Sequence, residues 1–114
     1  MNTRGDFMRK IYTECPVEYT ASMIANKWKI LILRDLLTGT KRYNELTKSI
    51  VGISAKVLTE NLRELESDGI VARKVYPVVP PKVEYSLTNK GSELKPIFDL
   101  MNEYGNKYKK KQDL

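Results

Sequence analysis

The stretch from Lys41 to Gly91, KRYNELTKSIVGISAKVLTENLRELESDGIVARKVYPVVPPKVEYSLTNKG, limits what this chain can fold into more than any other segment. Its first part, Arg42 to Ser49, leads Tyr43, Leu46 and Ile50 along one helix face at i, i+3 and i+7. Gly52 breaks that pattern. Ser54 is then a natural N-cap, its hydroxyl able to accept from the open N–H groups of the next turn. Ala55 to about Asp68 carries Leu58, Leu62 and Leu65 as a buried stripe, and Gly69 ends the helix. Ile70–Tyr76 and Val83–Leu87, rich in β-branched and aromatic residues, read as strands. The three prolines in Pro77-Val78-Val79-Pro80-Pro81-Lys82 cannot enter a sheet interior, so the link predicts a stiff, extended tip.

Short helix, tight turn, longer helix and hairpin, in that order, spell a winged helix-turn-helix. Such a module offers one helix to the DNA major groove and its hairpin wing to the flanking backbone. The predicted fold is therefore mainly α with a small β-hairpin. Before this stretch, Pro16 suits the first turn of a helix, and Val17, Ala21 and Ile24 continue it to Asn26 at helical spacing. A second helix carries Trp28, Leu31, Ile32, Asp35 and Leu36 along one side and closes at Thr38-Gly39, with Trp28 as a core anchor. After the hairpin, Thr88 or Asn89 caps a last helix bearing Leu94, Ile97, Phe98, Met101, Tyr104 and Tyr108. That apolar face is wider than one neighbour could cover. Residues 1–14 read as an N-terminal arm with a helical turn around Phe7–Tyr12, residues 15–110 as the domain, and 111–114 as the end of a basic, polar tail.

A chain of 114 residues is one domain, of a size that often completes its core by pairing with a copy of itself. The net charge of +6 suits a polyanionic partner. Lys107, Lys109, Lys110 and Lys111 supply four of those charges, so the rest of the chain holds only 6 − 4 = +2. Between Lys41 and Lys82 eight basic residues face five acids, but Glu60, Glu64, Glu66 and Asp68 all fall on the second half of one helix. The start of that helix, the helix before it and the hairpin stay positive. One cysteine rules out an intrachain disulfide framework, and there is no secretory h-region or membrane-length apolar run. Ile30-Leu31-Ile32-Leu33, flanked by Lys29 and Arg34, is a core segment. A cytoplasmic location without membrane partners follows by default. With no histidine, neither a Ser-His-Asp triad nor a His/Cys zinc site can be built in one chain, so no metal, cofactor or enzymatic activity is expected.

Cys15-Pro16-Val17, Asn26-Lys27-Trp28, Tyr43-Asn44-Glu45-Leu46 and Gly52-Ile53-Ser54-Ala55-Lys56-Val57-Leu58-Thr59 stand in the order found in the HxlR family. Leu62-Arg63-Glu64-Leu65-Glu66, Pro80-Pro81-Lys82-Val83-Glu84-Tyr85 and Leu87-Thr88-Asn89-Lys90-Gly91 extend the match, which covers Cys15 to about Leu100. The chain thus resembles these small, MarR-like bacterial winged-helix transcriptional regulators. The resemblance implies a homodimer, held by the N- and C-terminal helices, on a palindromic operator. One departure is visible: the family often has Gly-Gly before its Lys-Trp pair, where this chain has Ala25-Asn26. It is expected to alter a helix junction and not the DNA surface.

On the recognition helix the face opposite the leucines offers Ser54, Lys56, Thr59, Glu60 and Arg63. Arg63 suits a bidentate bond to guanine O6 and N7, worth about 1–3 kcal/mol of discrimination. Its other reading is an ion pair with Glu60, Glu64 or Glu66. Ser54, Lys56 and Thr59 can reach phosphates or base edges, though Lys56 and Thr59 also fit ordinary surface positions. Lys41 and Arg42 suit phosphates, as do Lys82, Lys74 and Arg73 on the hairpin. Glu60 and Glu64 would be repelled by phosphate unless each meets a cation or accepts from cytosine.

Two inputs are open. The positive end of the first helix favours a thiolate at Cys15, while Glu14 and Glu18 oppose it. Some HxlR members resembling this chain sense oxidants or electrophiles through a cysteine here, though a cysteine is also often a small buried hydrophobe. The other input is a small-molecule effector in a dimer crevice lined by Tyr19, Met23, Phe98, Met101 and Tyr104, residues whose helical spacing also suits plain core. The leading function is a dimeric, sequence-specific regulator of double-stranded DNA. The alternative is a winged-helix protein–protein interaction module.

Overall fold

The computed structural model describes residues 14–110. The tail end at 111–114, the arm before Glu14 and the turn expected around Phe7–Tyr12 lie outside the described residues. Helix α1 (Pro16–Ile24) opens with its proline in the first turn, where the missing N–H costs no helical bond. Of its expected apolar face only Ile24 is buried, together with Met23; Val17 and Ala21 stand in solvent. Helix α2 (Lys27–Leu36) starts at Asn26, whose side chain accepts from the Lys29 N–H. Trp28 is half-buried against the core that Ile32, Leu33 and Leu36 enter from the same helix.

Strand β1 (Lys41–Arg42) is followed without a break by α3 (Tyr43–Ser49). The helix therefore begins one residue later than the periodicity predicted. Arg42 is its N-cap, and the Arg42 N–H donates to Glu45 Oε1 at 2.7 Å. Gly52 has φ +84°, a left-handed conformation that side chains resist, and this turns the chain from α3 into α4 (Ala55–Ser67). Leu58, Leu62 and Leu65 line the buried side of α4 as expected, joined by Asn61.

Strands β2 (Val71–Tyr76) and β3 (Lys82–Leu87) form the wing, with β1 on the far side of β3 in the order β1-β3-β2. The expected hairpin is thus one part of a three-stranded antiparallel sheet, in which Arg42 faces Glu84 and Arg73 faces Tyr85. The tip contains a cis Val79–Pro80 peptide.

The single last helix read from the sequence is two. Helix α5 (Asn89–Ser92), capped by Thr88, stops, and α6 (Lys95–Tyr108) starts with Pro96 in its first turn. Proline inside a helix removes a bond and crowds the carbonyl four residues back, so the chain breaks before it. Gly91 packs so closely that an added Cβ would lie 2.2 Å from the Ile70 carbonyl oxygen. Phe98 packs on the core, but no residue of α6 is fully buried, and Leu100, Met101, Tyr104 and Tyr108 stand exposed.

Candidate nucleic-acid interface

The turn joining α3 to α4 is held by one tyrosine. Tyr43 donates its hydroxyl proton to the Ala55 carbonyl at 3.0 Å, and Thr59 Oγ1 lies 2.9 Å from the same phenol oxygen. With that proton committed, Thr59 is the donor of the second bond. Thr59, read as able to reach phosphates or base edges, is half-buried and helps fix α4 against α3. At the other end of α3, the Ser49 hydroxyl donates to Asp35 Oδ2, tying α3 to α2. Asp35 also accepts from Arg34 Nε at 2.9 Å, so the carboxylate placed on the apolar side by spacing alone is a polar brace.

Of the other expected contacts, Ser54 caps α4 by accepting from the Val57 N–H at 3.1 Å and keeps its own proton for a further acceptor. Lys56, Glu60 and Arg63 are exposed, one turn apart on one outward stripe. Arg63 forms no ion pair among the described residues, so its expected acidic neighbours are not its partners. Glu64 and Glu66 are held elsewhere, and Glu60 stays exposed beside Arg63. Lys29, only 4% exposed, sets its Nζ 2.6 Å from Glu64 Oε1. Arg73 on the wing lies 3.4 Å from Glu66 Oε1, which takes it from the free phosphate contacts expected of the hairpin.

The departure at Ala25-Asn26 reaches further than the helix junction. Besides capping α2, Asn26 donates from Nδ2 to Asn61 Oδ1 on α4 at 3.0 Å, touching the back of the helix whose front faces outward.

At the wing, Lys82 is not an unengaged cation. Its Nζ sits 3.4 Å from Glu84 Oε2 and 4.5 Å from the Tyr76 ring centroid, and Lys74 Nζ lies 4.9 Å from the same ring. Tyr76 donates to Glu84 Oε1 at 2.9 Å. That bond, with Lys82 beside it, holds the Glu84 carboxyl below the ordinary carboxylate range against a smaller opposing effect of desolvation. Arg42 and Lys82 line one hollow between the start of α3 and the wing tip, with Tyr43, Val79 and Pro81. Lys41 is half-buried in β1 opposite Tyr85, so of the β1 pair Arg42 is the one presented outward.

The remaining expected residues divide. Cys15 is exposed as the N-cap residue of α1. Of the five assigned to a ligand crevice, Met23 is buried in the core, Phe98 packs on it, and Tyr19 is exposed on α1. Only Met101 and Tyr104 line the apolar hollow on α6, beside Ile97, Leu100 and Gly105. Sequence reasoning missed Asn26, Lys29, Tyr43 and Asn61 as supports of α4. The only signal was their spacing in pairs, since Asn26/Lys29 and Asn61/Glu64 each stand three apart.

A helix-turn-helix whose second helix turns an exposed stripe outward beside the hairpin of a three-stranded sheet defines the winged-helix class. The family profile described as HxlR-like helix-turn-helix matches residues 23–113, and the chain belongs to that family. It is 46% identical over 108 residues to the HTH-type transcriptional regulator YdeP of Bacillus subtilis, spanning 95% of this chain and 84% of YdeP. Among solved structures it is similar to the redox regulator HypR in its oxidized form, with 48% identity, a TM-score of 0.80, and coverage of 84% of this chain and 99% of HypR. The reduced form of the transcriptional regulator YodB from Bacillus subtilis is 39% identical, with a TM-score of 0.72 over 86% of this chain and 97% of YodB. No helix among the described residues is long and apolar enough to cross a membrane.

Proposed function

We propose that the protein binds a palindromic DNA operator as a homodimer, α4 lying in the major groove and the wing beside the flanking backbone. The observation that carries this reading is the division of charge on α4. Glu64 is neutralised from behind by Lys29 and Glu66 from the side by Arg73, so the outward stripe of Lys56, Glu60 and Arg63 keeps two cations to one carboxylate. Arg63 then reads a guanine, and Ser54, Lys56 and Arg42 contact phosphates or base edges near the start of α4. Lys82 contributes a weaker phosphate contact, since Glu84 already offsets part of its charge. The exposed apolar face of α6 supports a second copy as its cover, with α1 beside it. Two copies related by a twofold axis would present their α4 helices to successive major-groove turns of a palindrome.

Binding of R63A and wild type to a duplex selected from a randomised pool, and to its scrambled counterpart, tests the base-reading role. Loss confined to the selected duplex is expected; equal losses on both reject it. Failure of the wild type to bind any duplex at low salt, with capture of a protein partner instead, would favour an interaction module.

Cys15 is the proposed point of signal entry: exposed, at the start of a helix assigned to the dimer, in a chain similar to a protein described as a redox regulator. Oxidation or alkylation there would shift the spacing of the two α4 helices. A C15S protein that still releases DNA under diamide removes this role. A small effector on α6 is the weaker reading, because Met23 and Phe98 are turned into the protomer's own core.

A further inference from the structure

We infer that Asn26 and Lys29 fix the axial position and roll of α4 from behind, making them positioning residues for the DNA sequence it selects. The inference rests on α4 being the recognition helix. Asn26 uses both ends of one amide: Oδ1 accepts from the Lys29 N–H at 2.8 Å, and Nδ2 donates to Asn61 Oδ1 at 3.0 Å. Asn61 is itself fixed, since its own Nδ2 donates to the Val57 carbonyl at 2.7 Å and the residue is 8% exposed. One turn further along, Lys29 Nζ meets Glu64 Oε1 at 2.6 Å. Asn26 and Lys29 stand three apart at the start of α2, and Asn61 and Glu64 three apart on α4, so two polar links join the same pair of ridges one turn apart.

The geometry of these links matters because they are the directional part of the contact between α2 and α4, acting beside the Tyr43 clasp that joins α4 to α3. Leu58, Leu62 and Leu65 resist separation of α4 from the core, but burial of apolar surface alone tolerates a slide or a roll. Hydrogen bonds and a charge pair lose strength quickly with distance and angle. Arg63 lies between Asn61 and Glu64 in sequence and is exposed, whereas Asn61 is buried and Glu64, half-exposed, reaches back to Lys29. A roll of about 10° would carry the end of a side chain on a helix of roughly 5–6 Å radius about 1 Å, enough to disturb a bidentate contact.

The test uses N26S, N61A and the double variant of the full chain. Serine keeps the cap on α2 but is too short to reach Asn61. Binding is measured on a duplex selected by the wild type from a randomised pool and on a scrambled duplex, across a salt series. N26S should lower the selected-to-scrambled preference about threefold to tenfold. Scrambled-duplex affinity and salt slope should stay at wild-type values, because no phosphate contact is removed. The double variant should lose no more preference than the larger single loss, since both act through one bond. Undiminished preference in N26S, or additive losses, overturns the inference while leaving α4 as the reader. A wild type that selects no preferred duplex overturns the reading of α4, and the inference with it.

Discussion

Replacing Tyr43 by phenylalanine removes one oxygen and keeps the ring, so it isolates the clasp between α3 and α4. Two bonds are lost, to Ala55 O and Thr59 Oγ1. Neither leaves a stranded buried group. Ala55 O is also the helical acceptor for the Thr59 N–H, and the Thr59 hydroxyl can turn back to a carbonyl one turn earlier or to water. The full penalty for an unsatisfied buried group therefore does not apply. The expected loss is about 1–1.5 kcal/mol, an ordinary pair of partly exposed hydrogen bonds in place of the larger sum their number suggests. For a domain of this size that is about 5–10 °C in melting temperature. Urea unfolding followed by the fluorescence of Trp28, the only tryptophan, measures it, provided protein concentration is held fixed against any contribution from self-association. Because the clasp sets the angle of α4, binding to the selected duplex should also weaken about threefold to tenfold. A Y43F protein with wild-type unfolding and wild-type DNA binding would refute the clasp. A Y43F/T59V double variant whose losses simply add would refute the Thr59 half of it, the one bond these two side chains share.

Gly91→Ala should destabilise by about 2–3 kcal/mol, because the new Cβ meets a backbone oxygen that cannot rotate away; a denaturant midpoint close to wild type would refute the close approach. Tyr76→Phe removes the bond that most lowers the Glu84 carboxyl. A depressed carboxyl contributes stability above the ordinary carboxylate range and loses it as pH falls through its folded-state value. The Y76F deficit should thus be full at neutral pH and shrink in acid, and a deficit that is equal at pH 7 and pH 3 excludes Glu84 as the cause. Met101→Asp on the exposed face of α6 should halve the solution mass by sedimentation while leaving the circular dichroism of the protomer intact, and an unchanged mass removes α6 from the proposed dimer.

The elements most legible in the sequence were those whose signal is local. Leu58, Leu62 and Leu65 repeat at helical spacing, Ser54 precedes them, and Gly52 and Gly69 interrupt the periodicity at both ends of α4. Strand β1 carries no such signal. Two residues become a strand only because β3, some forty positions later, offers Glu84 and Tyr85 as partners. Lys29 was indistinguishable from any lysine flanking an apolar run, since its burial depends on a carboxylate supplied by another helix. The same holds for the outward residues. Thr59 and Arg63 look alike on a helical projection, yet the phenol of Tyr43 engages one and nothing among the described residues pairs with the other. Spacing assigns a face, whereas a role depends on what the rest of the chain brings to that face. The break before α6 was available in Pro96, and the continuous apolar pattern from Leu94 to Tyr108 masked it.

Helix α6 adds almost nothing to the interior of its own protomer, Phe98 apart, and begins beyond a proline-marked break. Mutations along its outer face are therefore nearly invisible to the folding of the winged-helix body. If α6 pairs two copies and α4 reads DNA as proposed, two descendants of one gene could drift apart in this limb, each ceasing to recognise the other, with α4 unchanged. Insulation of such duplicates from one another would then require no change in DNA preference, and a transplanted α6 should carry partner choice with it.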